Sequence, residues 1–498
     1  MTFLPLSNIL NLRRELEGTN AEILTWGCDG YDDGIKQWSD SCDEQAGAVV
    51  LVTTTDEAAA VVRFAGCHQI PFTIKSGGYS TTGASTIRGG IVLDLSYLRK
   101  VHVDPVSLVL TAQGGALWED IDIAAAQYKL AVVGSTLNQI GAAGATLGGG
   151  YGWLTGQYGL AIDNLLWVRM ILADGSVVIT SEEQHPDLFW AIRGAGQSFG
   201  VAIELGFRAH RQDHPIFAGT LLFSADKLPG IVDFANQFET LNDGKQGFWF
   251  GFTASPLMPE CSVLVILFYN GNQTGAEQFF CPVFSLGPVV NEVEMRPYDS
   301  LNGMLNAIDT MTRRRSLGGF DIALPVDESV GPRKSLLGSN ITLPLDTNLV
   351  VSIYYEFDGI LREFPSARDS ILLFEILPNT QVAKIHNDTT AFASRGPYYN
   401  VSSLFRWHGA SLDERIHSLQ TDLMQRIGKD AGIAAQPEYN MSRQGTGIYA
   451  NYAAHGLSND AIFGNNLPRL RELKKKLPTH FQVCRYDICI PPWSIFQP

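Results

Sequence analysis

Two glycine-rich runs carry the chemistry most directly legible in this chain. Residues 142–164, AAGATLGGGYGWLTGQYGLAIDN, hold Gly144, Gly148, Gly149, Gly150, Gly152, Gly156 and Gly159. Glycine gives up the most backbone freedom on ordering, so the GGGYG core predicts a sharply bent chain and not a helix. A plain linker would be rich in Ser, Pro and charge. This run is instead interleaved with Leu147, Tyr151, Trp153, Leu154 and Tyr158. It reads as a buried wall for a large flat ligand, with a purely structural crossing as the alternative. The second run is Lys75-Ser76-Gly77-Gly78-Tyr79-Ser80-Thr81-Thr82-Gly83. Its successive amides and hydroxyls suit phosphate oxygens; an ordinary glycine–serine turn is the rival reading.

Titratable candidates are fewer. Residues 349–357 alternate and predict a strand, with Ser352, Tyr354 and Glu356 on one face and Val351, Ile353, Tyr355 and Phe357 on the other. That polar face could line a cavity and supply acid–base groups, or it could be solvated. Arg406-Trp407-His408 is a further candidate, although a lone histidine is more often structural. Arg313-Arg314-Arg315 is expected to be a solvated surface run.

The elements that must position these groups are legible in outline. The chain has 498 residues, 45% hydrophobic and 17% charged, enough for two or three domains with large cores. A net charge of −15 argues against a nucleic-acid partner. No run of 18 apolar residues predicts a membrane span. The seven cysteines show no zinc-ligand spacing, and no metal site is expected. The start has no basic, apolar and small-residue leader, which predicts a cytoplasmic protein with reduced thiols. Five N-x-S/T sequons, at Asn272, Asn340, Asn387, Asn400 and Asn440, would matter only if the sequence had been trimmed from a secreted precursor.

Ala48 to Val52, a helix opened by Thr54-Thr55-Asp56-Glu57, and Phe72 to Lys75 form a β-α-β rhythm. Trp26, Tyr31 and Trp38 are expected to pack on that unit. Residues 117–129 predict an amphipathic helix, residues 173–176 a hairpin turn, and residues 186–193 a helix. From about 210 the alternation strengthens. Phe248, Phe250 and Phe252 share a face, residues 261–269 form a long strand, and helices fall near 227–241, 276–285 and 412–427, the last with Ser411 as cap. The expected division is 1–210, 211–445, and a tail 446–498 folding back on the first part.

With these motifs in order, the chain resembles the FAD-linked oxidases with a PCMH-type flavin domain, specifically the berberine-bridge-enzyme-like group and its fungal members. The residues that carry the resemblance are Gly89 to Leu95, residues 141–152, Tyr158 to Asn164, Ala173-Asp174-Gly175, Asp187 to Gly194, Phe199-Gly200-Val201, Asn451-Tyr452 and Gly464-x-Asn466-x-x-Arg469-Leu470. The resemblance implies an α+β protein, with a two-lobed FAD domain and an antiparallel substrate-domain sheet covered by helices. It implies FAD with its pyrophosphate along Lys75, Ser76, Gly77, Gly78, Tyr79, Ser80, Thr81 and Gly83. The flavin ring would lie along Gly141, Gly144, Thr146, Gly149, Tyr151 and Gly152, with Asn164, Gly200, Val201 and Asn451 nearby. A small-molecule substrate and a monomer or homodimer follow from the same resemblance.

The departures are informative. Where the family commonly has a histidine that carries FAD covalently, this chain has Tyr79, and at the second attachment position it has Leu137. Non-covalent FAD is therefore expected. The resemblance also makes Tyr449 and Tyr452, flanking Asn451, candidates for a catalytic acid or base beside Tyr354 and Glu356; a packed tyrosine is the alternative. The expected reaction is oxidation of a small organic molecule by hydride transfer to flavin N5 in secondary metabolism. The alternative is an isomerase or cyclase on the same scaffold.

Overall fold

Short apolar runs build the first sheet. In the computed structural model, which describes residues 4–255, 258, 260–310, 316–317, 320–321, 333–453 and 457–476, β1 (Glu22–Leu24), β2 (Ala48–Leu51), β3 (Phe72–Lys75) and β4 (Ile91–Asp94) stand in the order β1-β2-β4-β3. β2, β4 and β3 run parallel, and β1 is antiparallel to β2. The helix Thr55–Cys67 joins β2 to β3. Thr54 accepts from the Glu57 amide at 3.2 Å while Glu57 accepts from the Thr54 amide at 3.1 Å. This reciprocal cap satisfies two donors that a helix start leaves unpaired.

A second sheet is antiparallel. It contains β5 (Val101–Asp104), β6 (Val109–Gln113), β7 (Leu130–Val132), β8 (Leu165–Ile171), β9 (Val177–Ser181) and β10 (Val201–Arg211), in the order β5-β6-β10-β8-β9 with β7 on the far end of β10. Trp26 is 62% exposed, whereas Tyr31 is buried.

The third sheet has eight strands: β11 (Ile216–Phe223), β12 (Gln246–Ala254), β13 (Cys261–Tyr269), β14 (Val290–Asn291), β15 (Glu294–Arg296), β18 (Arg333–Ile341), β19 (Ile371–Ile376) and β20 (Tyr399–Trp407). Two short strands, β16 (Ser316–Leu317) and β17 (Phe320–Asp321), pair only with each other. The large sheet runs β14-β11-β13-β12-β19-β20-β18 and is antiparallel throughout. Strand alternation sends Phe248, Phe250 and Phe252 to one face, against the helices Leu228–Leu241, Thr347–Glu363 and Asp413–Ala431. Each such buried aromatic contributes on the order of 2–3 kcal/mol. Trp249, Leu373 and Leu404 point the other way, toward the first two sheets.

The segment after residue 446 returns to the first lobe. Phe463, Leu467 and Leu470 share a core with Phe189, Trp190 and Ile192, and Arg469 lies 4.0 Å over the Trp190 ring. No helix among the described residues is long and apolar enough to cross a membrane. Two sequon asparagines, Asn340 and Asn387, are buried and hydrogen-bonded to backbone carbonyls.

Two expectations are corrected. Residues 349–357 are not a strand but the middle of the helix Thr347–Glu363. The β-branched and aromatic run mimics strand propensity, yet Val350, Ile353, Tyr354, Phe357, Ile360 and Leu361 are its buried residues. That is helical spacing, and tertiary packing overrides a weak β preference. Ser411 does not cap the helix Asp413–Ala431; it lies inside a 3₁₀ turn, Ala410–Leu412. The arginine run at 313–315, Cys484 and Cys489 lie outside the described residues.

Candidate active site

The inner face of the eight-stranded sheet meets the first lobe across a cavity of about 650 Å³. One wall is made by backbone. The helix Ala142–Leu147 ends in a glycine turn, and Gly141 sits against the loop after β3. A Cβ on Gly77 would stand 2.6 Å from the Gly141 nitrogen, so these two segments touch main chain to main chain. A Cβ on Gly152 would stand 1.7 Å from the Gly134 carbonyl oxygen, which explains a glycine there by close approach. Gly144 differs: it lines the cavity, and a Cβ there would meet nothing within 4 Å.

The opposite wall is the sheet. Alternation along β19 sends Ile371, Leu373 and Glu375 into the cavity, and along β20 it sends Ser402, Leu404 and Arg406. Trp249 on β12 stands directly across from Glu375. Glu375 is buried, and the Ser402 hydroxyl donates to it. Tyr452 donates to the same carboxylate, 3.2 and 3.3 Å from its two oxygens. Burial pushes the Glu375 carboxyl up to about 7, against the opposing pull of the Ser402 and Tyr452 hydrogen bonds. Burial, followed by the Glu375 charge, raises the Tyr452 phenol well above its ordinary value. Tyr452 reaches the sheet because Gly338 on β18 has no side chain; a Cβ there would lie 2.4 Å from the Tyr452 Cβ.

Tyr449 is bound differently. Its hydroxyl oxygen accepts from the Gly150 and Tyr151 amides at 3.2 and 3.3 Å and from Asn451 Nδ2 at 2.8 Å. Asn451 also donates to the Ala145 carbonyl, so the tail segment is stitched to the glycine wall. Burial raises the Tyr449 phenol despite these donors.

The remaining expected residues divide. Ser76, Gly77, Gly78, Tyr79, Ser80, Thr81, Gly83, Gly141, Gly144, Tyr151, Gly200, Asn451, Tyr449 and Tyr452 all line the cavity. Tyr79 stacks on Trp38, with centroids 4.0 Å apart. Lys75 is turned away, donating to the Gly34 carbonyl at 2.8 Å beside Asp94. Asn164 is buried, bonded to the Tyr158 and Leu160 carbonyls and to His210. Thr146, Gly149, Gly152 and Val201 stand behind the wall and are absent from the cavity lining. Tyr354 and Glu356 are not brought to the cavity. Tyr354 donates to the Cys261 carbonyl at 2.8 Å beneath the covering helices, and Glu356 pairs with Arg426 on the helix side. Glu375 was missed. The signal was present, a single carboxylate in the apolar run Ile371-Leu372-Leu373-Phe374-Glu375-Ile376.

A family profile described as an FAD binding domain matches residues 46–181. The chain is 30% identical over 483 residues to the FAD-linked oxidoreductase pgmH of Aspergillus terreus, covering 95% of this chain and 94% of that one. The chain belongs to the FAD-linked oxidoreductases. The (R)-6-hydroxynicotine oxidase of Paenarthrobacter nicotinovorans is 29% identical over 276 residues, 55% of this chain and 60% of that one. Berberine-bridge-enzyme-like folds superpose well. The BBE-like 1 protein of Physcomitrella patens gives a TM-score of 0.77 at 19% identity, covering 95% of this chain and 98% of the other. A chitooligosaccharide oxidase gives 0.76 at 19%, covering 95% and 97%. As in this family, the enzyme is an FAD-dependent oxidoreductase of α+β build. Its cavity fits a flat cofactor: the main chain at Gly144 is open to it, and Gln197 on the same lining has a buried Oε1 without a protein partner.

Proposed function

We propose that this enzyme oxidises a small alcohol or amine, with Glu375 as the base and with FAD held by non-covalent contacts alone. The observation that carries the reading is the Ser402–Glu375–Tyr452 cluster on the sheet, facing the glycine wall across one cavity. FAD, when bound, supplies the acceptor for the hydride. Glu375, with its carboxyl held near 7, is poised to take the substrate's proton at neutral pH. Ser402 fixes the carboxylate's orientation. Tyr452 stabilises the charged form and lies on the cavity surface, where it can pass a proton onward. Trp249, Leu373 and Leu404 exclude water from that corner.

Support for non-covalent FAD comes from the lining itself. Among the described residues that form the cavity there is neither a histidine nor a cysteine, and positions 79 and 137 are tyrosine and leucine. Ser76 to Thr81 and Gly141 to Ala145 would hold the cofactor. A role in secondary metabolism is part of the same proposal, on the resemblance to the group's fungal members.

The test is the absorption spectrum of the purified protein. A flavin band that bleaches anaerobically with substrate, and yellow colour left in the supernatant after acid precipitation, are the expected results. No flavin uptake on reconstitution, or a fully oxidised band during anaerobic turnover, would defeat the redox reading. Colour in the acid pellet would defeat the non-covalent one.

A further inference from the structure

We propose that residues 37–42 form a latch that shuts the FAD cavity against the edge of the large sheet, with Ser39 and Lys334 as its holding residues. The proposal rests on the non-covalent FAD reading above and adds how the cofactor is retained. It starts from β18, which ends the strand order of that sheet, so among the described residues its outer backbone groups have no strand to pair with. The segment after the helix Tyr31–Ile35 supplies partners instead. The buried Ser39 hydroxyl accepts from the Lys334 amide at 2.7 Å and donates to the Lys334 carbonyl at 2.8 Å. Two residues further along β18, the Leu336 amide donates at 3.0 Å to Thr81 in the loop after β3.

The same segment is fastened to the cofactor side. The Trp38 amide donates to the Gly78 carbonyl at 2.9 Å, and Gln37 donates to the Ser85 carbonyl at 3.3 Å. Tyr79 stacks on one face of the Trp38 indole, which leaves the other face to the Lys334 ammonium, 4.2 Å from the ring centroid. Stacking and cation–π attraction of this kind together favour the closed arrangement by about ten- to a hundredfold. Trp38, Tyr79, Thr81 and Leu336 all line the cavity, so this seam is part of its wall. Ser39 and Lys334 stand outside the lining. The bonds across the seam run from side-chain hydroxyls to the backbone of one strand edge, so it can part while each sheet keeps its own ladder. A cofactor without a covalent bond is held by the shut seam, and the same seam opens for its uptake and release.

The experiment measures FAD exchange by the full-length protein. Release is read as the flavin left on the diluted holoenzyme at timed spin filtrations, and uptake by the same filtration after FAD is mixed with apoprotein. Ser39→Ala removes both bonds to Lys334 and alters no cavity surface. It is expected to speed release and uptake alike, each about tenfold, and to leave the FAD Kd within about threefold. Lys334→Met keeps the aliphatic stem and removes the charge. It should move both rates the same way by about three- to fivefold, and it is the second variant if Ser39→Ala does not fold. Release within about twofold of the native rate in the loaded variants overturns the proposal. Faster release with uptake unchanged overturns it as well, because that marks a weakened binding site and not a freed latch. Flavin that stays with acid-precipitated protein counts against the non-covalent reading instead, and a native protein that takes up no FAD counts against the redox reading.

Discussion

Tyr452 and Glu375 are 77 residues apart in sequence and joined by a hydrogen bond at 3.2 Å, linking the returning C-terminal segment to the central sheet. The tyrosine donates, the carboxylate accepts, and both line the cavity. Burial raises the carboxyl and the phenol hydrogen bond lowers it, so the pair sets where the carboxyl titrates.

Glu375→Gln should lower kcat by about 10²–10⁴-fold with FAD content unchanged, because a positioned base contributes on that order. In the native enzyme kcat/KM should rise with pH through about 7, since the carboxyl must be ionised to accept a proton. The stability effect has the opposite direction. The folded carboxyl holds its proton to higher pH than the unfolded one, so folding stability from this group is full below about pH 4.5 and falls as pH rises to about 7. The loss is about 3 kcal/mol, and Glu375→Gln should flatten it. Thermal melts of the apoprotein across this range measure it.

Tyr452→Phe removes a donor that favours the charged carboxylate. The acidic limb of the pH–rate profile should move to higher pH, with kcat at the new plateau reduced less than in Glu375→Gln. A profile that keeps its inflection while kcat falls about 10³-fold would instead make Tyr452 the proton acceptor.

Gly144 and Gly152 should behave as opposites. Gly144→Ala places a methyl in open space within the helix Ala142–Leu147 and should stabilise the apoprotein by about 0.5–1 kcal/mol. Gly144→Leu should still fold but weaken FAD by about tenfold or more, by filling the cradle. Gly152→Ala drives its Cβ to 1.7 Å from the Gly134 oxygen and should cost about 3 kcal/mol, regardless of cofactor. Melting curves and fluorescence titration with FAD separate the two effects.

Tyr354→Phe should destabilise by about 1 kcal/mol through its lost bond to the Cys261 carbonyl. Glu356→Gln should leave stability within about 0.5 kcal/mol, as expected for a partly exposed ion pair. Neither should change kcat by more than about twofold, because neither side chain reaches the cavity. A tenfold fall in kcat for either would place catalysis on that helix.

Sequence alone determined the local and contiguous features. The β2–helix–β3 unit with its Thr54 cap, the face shared by Phe248, Phe250 and Phe252, the glycine wall and the loop after β3 are written in runs of neighbouring residues. Period, capping and glycine content speak for themselves there. Tyr449, Asn451 and Tyr452 were legible only through the family resemblance of the tail motif. The tertiary structure decided what depended on distant partners. Residues 349–357 became a helix because the sheet offered a surface that buries Ile353, Tyr354 and Phe357 together. Lys75 was drawn to the Gly34 carbonyl, and Asn164 to His210 and the Leu160 carbonyl, away from the cavity. Glu375 looks in sequence like one carboxylate in an apolar strand. Only when β20 supplies Ser402 and the tail supplies Tyr452 does it become a buried, hydrogen-bonded carboxyl facing the glycine wall with its proton affinity raised, because burial and partner groups, not residue type, set a carboxyl's proton affinity.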